Sequence, residues 1–394
     1  MALTDNINRY AYIPAGIFLF ILPFTHTVAL RLFCLLVALL MVAHLWRRNP
    51  PPPMPCKWPL LFWGATCTLS LAWSIDPEYS LGELQNEVGY TMAAFLVFYY
   101  LTSNEETWQR WRNTILASFF AISTLAIHNY TPPDTWPTSG RVGDRNAFST
   151  YVVLLFPFLL LSIFQIGRRG MTAVLIWLSV PLALVTGYLT LNRIMWPTFA
   201  LMTVVFSVLY LCRADLSKRA RMFSIVVLLG LLGMFTVLFA VVSQHKGGMA
   251  EQNIAGVKKS FSEDPRFEIW SYAKNRIAER PITGYGYGRG ILRKDFREDL
   301  GNPLHWHAHN MLLNYILEIG PLGGVALLCL FTGLATEFWK LYRCSDNKSW
   351  QQGIFGLVVL SGIATKAMTD DIVVRDSSLL FWAFMGMALG LGQR

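Results

Sequence analysis

Residues 223–242, "FSIVVLLGLLGMFTVLFAVV", run for twenty positions without a single charged side chain. A hydrocarbon core about 30 Å thick takes ~20 apolar residues to cross as a helix, so this stretch is long enough to span one. It is not alone: "IPAGIFLFILPF" (13–24) and "VLIWLSVPLALVTGYLTL" (174–191) repeat the pattern. Over 394 residues the chain is 54% hydrophobic and only 14% charged, whereas a soluble domain carries ~25% charged residues. The fold class is therefore an all-α polytopic membrane protein. About twelve spans are expected, near 10–26, 28–46, 58–75, 87–102, 113–128, 148–166, 171–190, 195–212, 222–243, 321–340, 353–369 and 378–392. The first lacks a basic leader and a cleavage site and reads as a retained span. Three regions follow: spans in 1–243, a long and mainly helical insert at 244–320, and further spans in 321–394.

Lysine and arginine in short connections set the orientation. With both termini inside, one register gathers Arg47, Arg48 and Lys57, then Arg110 and Arg112, then Arg168 and Arg169, on the cytoplasmic side. Arg213, Lys218, Arg219 and Arg221 join them, as do Lys340, Arg343 and Lys348. The outer segment "SIDPEYSLGELQNE" (74–87) has neither basic residue. Much of the net charge of +9 is thus topogenic, and no nucleic-acid partner is needed to explain it. The six cysteines fall in spans or on the cytoplasmic side, with neither a disulfide framework nor a zinc spacing.

Polar groups collect on the outer side. The outward segments are 129–147, a tight turn at Arg193, the insert, and "TDDIVVRDS" at 369–377. Arg193 is the only charge between Arg169 and Arg213. It reads either as a headgroup anchor or as an anion contact at a helix start capped by Asn192. Within the insert, "SEDPRFEIWSYAKNRIAERP" (262–281) predicts a helix capped by Ser262 or Asp264 and stopped by Pro281. "GYGYGRG" (284–290) predicts a flexible turn. Lys366 and Glu318 are charges of ambiguous depth.

"HWHAHNMLLNYILEIGPLGG" (305–324) holds three of the seven histidines. Gly320-Pro321 is a natural helix break, which separates an amphipathic surface helix at 309–319 from the next span. On such a helix His309 shares a face with Leu313 and Ile316. Metal binding, a pH switch, a polar rim and a catalytic base all remain open for these rings. No nearby acid or cysteine completes a metal shell; a base near neutral pH is what imidazole supplies most readily.

His309, Asn310, Gly320 and Gly323 also form a His-Asn, nine residues, Gly-x-x-Gly pattern. In its place after a long outer insert, that pattern resembles the O-antigen ligase family. "LNRIMWP" with Arg193, "RFEIW" with Arg266 and Trp270, and "RVGDRNAFSTYVVLLFP" with Arg141 and Arg145 are similar to further family segments. The resemblance implies about twelve spans, a GT-C-like glycosyltransferase architecture, and a place in a Gram-negative inner membrane with the active site facing the periplasm. It implies a donor polysaccharide on undecaprenyl pyrophosphate and an acceptor hydroxyl on lipid A-core, with no cofactor and no metal. His309 would be the general base, with Arg193 and Arg266 on the diphosphate. Arg141, Arg145, Arg289 and Asp371 are further substrate-binding candidates, and Asp370 a possible partner for His309. Tyr285 and Tyr287 are open between sugar stacking and packing. The related polymerases carry Arg, ten residues, Gly motifs; Ile277 and Tyr287 stand where those glycines would follow Arg266 and Arg276. Protein O-oligosaccharyltransferases have a larger C-terminal outer region, and a transporter would place its charges at mid-bilayer.

Overall fold

A computed structural model describes residues 2–130, 136, 141–165, 171–213, 217–246, 264–371 and 375–393. Ser262 and most of the first part of the insert lie outside the described residues, as do 372–374 of the last outer segment. Among the described residues the fold is helical, with no strand. Ten helices precede the insert: α1 (Ala2–Ile21), α2 (Val28–Trp46), α3 (Lys57–Leu69), α4 (Pro77–Leu84), α5 (Tyr90–Leu101), α6 (Glu105–His128), α7 (Arg145–Gln165), α8 (Met171–Leu189), α9 (Met195–Arg213) and α10 (Lys218–Lys246). Three shorter ones are described in the insert, α11 (Arg266–Glu279), α12 (Arg293–Asp299) and α13 (Met311–Ile319). The chain closes with α14 (Pro321–Arg343), α15 (Asn347–Lys366) and α16 (Arg375–Gly392).

Five described helices are long and apolar enough to cross a membrane: Val28–Trp46, Arg145–Ile163, Met195–Arg213, Arg221–Gln244 and Pro321–Arg343. Tyr10–Ile21 and Ala173–Leu189 are apolar but shorter. Helices also cover the other expected spans, and they fall short on length or apolarity for physical reasons. The stretch 58–75 is divided between α3 and a 3-10 turn at Ser70–Trp73. The stretch 87–102 begins in a π-turn at Gln85–Gly89, and α6 and α15 carry polar first turns.

Burial sorts the helices. From Ser378 onward α16 is buried on every side, as a helix apolar all round must be at the centre of a bundle. It runs along α5, and glycine sets how near it comes. A Cβ at Gly386 or Gly390 would stand 2.5 Å from the carbonyl oxygen of Phe95 or of Tyr99 respectively, closer than side chains tolerate; small residues at such crossings are the usual means of close approach between apolar helices. In contrast, α10 exposes Met222, Phe223, Val226, Leu229 and Val237, and α2 exposes Phe33, Leu36 and Leu40. Those faces suit lipid.

The Gly320-Pro321 break is present. α13 stops at Ile319, Gly320 adopts φ +77°, and Pro321 opens α14. Helix α11 lies where expected, but its N-cap is Pro265 without a side-chain cap; Asp264 Oδ1 instead accepts from the Arg266 N–H at 3.0 Å. The 284–290 turn differs from expectation: it is a buried clasp. The N–H groups of Tyr285 and Gly286 donate to the Glu318 carbonyl, at 3.0 and 2.7 Å, and both tyrosines are packed inside. Tyr285 and Tyr287 are therefore packing residues, and the repeated glycines serve φ values between +65° and +122°.

Candidate functional site

The histidine turn is tied down from three directions. Asn310 caps α13, its side chain accepting from the Leu313 N–H, and its amide donates to the Met368 carbonyl at 3.1 Å. The Met311 N–H donates to the carbonyl of Ala367, just past the end of α15. From α11, the Trp270 indole donates to the Ala308 carbonyl at 2.9 Å. Since α13 begins at Met311, His309 lies before the cap and not on the amphipathic face expected for it. It adopts φ +48°, a left-handed conformation that costs a non-glycine residue ~1–2 kcal/mol. Its N–H donates to His307 Nδ1 at 3.0 Å, which stabilises that backbone. The bond also requires the His307 proton to sit on Nε2. Burial above all, helped by the neighbouring His309 and Arg289, pushes His307 down to about 2, so this ring stays neutral.

His309 Nδ1 faces Asp370 Oδ1 at 3.7 Å. The other Asp370 oxygen accepts a short hydrogen bond from the Asn146 amide and stands 3.7 Å from Lys366 Nζ. Lys366 is fully buried and donates to Thr150 Oγ1 at 2.6 Å and Asn146 Oδ1 at 3.2 Å. Burial by itself would raise the Asp370 carboxyl; the facing His309 and the Lys366 charge outweigh it and hold the group well below the usual carboxylate range. An ionised acid against one ring nitrogen leaves the other free to take a proton, the arrangement that orients a general base.

The adjacent Asp371 has the opposite setting. It is buried, accepts from the Asn314 amide at 3.0 Å, and burial pushes it up to about 6 against the opposing pull of Arg289. With Glu83, Glu87, Glu318 and Arg289 it lines a small cavity of about 20 Å³. Glu318, which accepts from the Gly288 N–H, is also raised well above its ordinary value by burial and by Asp371. Both acids are buried despite lying in a short loop, Asp370 against Asn146 of α7 and Asp371 against Asn314 of α13.

In front of His309 opens a cavity of about 660 Å³. His307, His309, Asp370, Asp371 and Arg289 line it, along with Asn146, Trp306, Arg375 and Asp376. The Arg289 guanidinium stacks over Trp306 at 4.7 Å. The other arginines lie off this wall. Arg193 and Arg266 converge on one carboxylate, Asp264, at 3.8 and 3.1 Å. Arg266 Nε also donates to the Thr369 carbonyl at 3.1 Å, one residue from Asp370. Asn192 does not cap a helix there; its amide reaches Ser149 and Asn146, and α9 starts at Met195. Arg141 meets the site only through its carbonyl, which accepts from Thr25 N–H, and Arg145 opens α7 next to Asn146. Neither of those two side chains lines the cavity. Sequence reasoning missed Lys366, Asn146 and Arg375 as site residues.

His307, His309 and Asp370 bring donor atoms within 4.8 Å of one another, a cluster able to hold a metal ion. The acid that completes it comes from far along the chain, which is why local spacing hides it. A cation there would compete with Lys366 for Asp370 and with the His309 N–H for His307.

Residues 174–328 match the family model described as O-antigen ligase. That segment carries Arg193, Arg266, Arg289 and His309 and ends before Lys366 and Asp370. Curated relatives share shorter stretches. A protein named "putative polysaccharide ligase" in Rickettsia conorii is 36% identical over 93 residues, 22% of this chain and 22% of that protein. One of the same name in Rickettsia prowazekii is 32% identical over 106 residues, 24% and 25% of the two chains. A third, in Rickettsia typhi, is 38% identical over 72 residues, 16% and 18%. The chain thus matches only about a fifth to a quarter of the length of these relatives.

Proposed function

We propose that the protein is an O-antigen ligase, a glycosyltransferase moving polysaccharide from undecaprenyl pyrophosphate to a sugar hydroxyl of lipid A-core. The reading includes about twelve spans in a GT-C-like arrangement. It also includes a Gram-negative inner-membrane location with the cavity open to the periplasm. The observation that carries it is His309 set against Asp370 on the wall of a cavity that Arg289 and Arg375 also line.

In the proposed step His309 Nε2 takes the proton of the acceptor hydroxyl as its oxygen bonds to the anomeric carbon. The bond from that carbon to the diphosphate breaks with inversion, and the electron pair leaves on the phosphate oxygen. Lipid-linked diphosphate is a good leaving group and needs charge stabilisation more than an acid. Arg193 and Arg266 supply it, because guanidinium forks bind phosphate oxygens two at a time. Asp264, now shared between them, is the contact the diphosphate displaces. One unit-charge contact at 4 Å is worth ~4 kcal/mol at an effective dielectric of ~20, enough for arginines to serve where a divalent ion otherwise would. The step is a single displacement with no covalent enzyme intermediate.

The test is His309→Ala in a strain lacking its own ligase. The protein should insert and accumulate normally while ligated surface polysaccharide falls by about 100-fold or more, the range for losing a general base. Ordinary ligation would remove His309 from the mechanism.

A further inference from the structure

Arg289 and Arg375 share the cavity wall with His309. Among the described residues neither guanidinium has an ion-pair partner: Arg289 is held by stacking on Trp306, and Arg375 is tied only through its backbone. That tie is specific. Arg375 has φ +47°, a conformation unfavourable for any residue with a Cβ, and both oxygens of Glu87 accept its N–H, at 2.8 and 3.0 Å. The backbone is thus fixed while the charged end stays available at the cavity. Arg31, by contrast, is buried and already spent on Asp376 at 2.5 Å. Arg193 and Arg266 share Asp264 and lie off this wall. Two arginine pairs therefore differ: Arg193 and Arg266 are bridged by Asp264, whereas Arg289 and Arg375 make no salt bridge among the described residues, although Arg289 also borders the small cavity of Asp371, Glu87 and Glu318.

We propose that Arg289 and Arg375 form an anion subsite for the acceptor saccharide, receiving a phosphate or acidic-sugar carboxylate borne by it. The assignment rests on the ligase reading above. A base that deprotonates the acceptor hydroxyl must share a cavity with the acceptor, and these are the open cations of that cavity. The donor diphosphate has its own pair. The 660 Å³ volume admits one or two sugar rings with a charged substituent, and a planar fork recognises phosphate and carboxylate alike.

The experiment measures binding in detergent, without donor, using full-length protein and Trp306-containing intrinsic fluorescence. The probes are intact lipid A-core glycolipid, the same glycolipid with its core phosphates removed, the same glycolipid with its acidic-sugar carboxyls reduced, and inorganic pyrophosphate. Wild type should bind one of the two neutralised glycolipids about 10-fold or more weaker than the intact one, as expected for losing a charged hydrogen bond, which names the group received. In Arg375→Gln and Arg289→Gln that difference should shrink to within about 2-fold, with Arg375→Lys keeping only part of it, since an ammonium supplies the charge without the fork. A preference unchanged in both glutamine variants overturns the proposal, as does equal weakening toward intact and neutralised glycolipids. Loss of pyrophosphate binding with glycolipid binding intact also overturns it and gives the pair to the donor. His309→Ala serves as the separating control: it should retain the charge preference whether or not His309 is the base. Failure of wild type to bind any glycolipid would sink the ligase reading and this subsite together.

Discussion

Asp370 and Asp371 are consecutive in the chain and electrostatically opposite. Asp370 points toward Lys366, Asn146 and His309 and is held ionised. Asp371 points toward Glu318 and Asn314, and burial pushes it up to about 6. The difference lies in which wall each side chain meets. On the α7–α15 side a buried lysine and amides surround the carboxylate; on the α13 side it meets other acids. A single loop thus delivers a permanent anion to one face of the site and a group that titrates near neutrality to the other.

Three substitutions break or sharpen this contrast. The largest effect belongs to Asp370→Asn, which removes the charge facing His309 while keeping the shape. Turnover should fall about 100-fold or more with acceptor binding little changed; an assay of kcat against KM reads the split, and a wild-type kcat would dissociate Asp370 from the base. Next is Lys366→Met. It strips the buried counter-charge and should cost about 3 kcal/mol of stability, seen as a lower Tm in detergent. The double variant with Asp370→Asn should recover part of that loss, since the two groups form one unit. Additive losses would deny the coupling.

The smallest effect is Asp371→Asn. Folding raises this carboxyl above its unfolded value, so the native state holds its proton more tightly. Its contribution to stability is therefore present below the unfolded pKa of about 4 and declines as pH rises through about 6. The asparagine variant should gain a few degrees over wild type at pH 8 and little at pH 5. Equal gains at both pH values would show that Asp371 does not titrate between them.

How much of this was readable beforehand follows from the range of each interaction. The apolar runs, the Gly320-Pro321 break and helix α11 are local, and their signals sit in adjacent residues. His309 was legible through its short motif, and Arg193 and Arg266 through their flanking residues. Lys366 was not, because a lysine near the end of an apolar helix looks like an anchor until Asn146 and Thr150 of α7 come to meet it. Arg375 carries no local signal in its loop, and nothing in the sequence marks Asp370 and Asp371 as electrostatically opposite. What the 284–290 glycines do was hidden as well. Their open conformations suggest mobility, whereas Glu318 holds them down.

The two glycines of α16 carry a consequence beyond packing. Arg375, at one tip of that helix, is ~22 Å from Gly390 at 1.5 Å per residue, and the helix lies on α5 with no slack at Gly386 or Gly390. A methyl group added at either glycine acts like a pebble under one end of a beam. The rod must tilt, and its far tip swings at the cavity rim. Damage mapped to the deep interior of this bundle should therefore surface as a changed cavity mouth, with no residue lining the cavity having been altered.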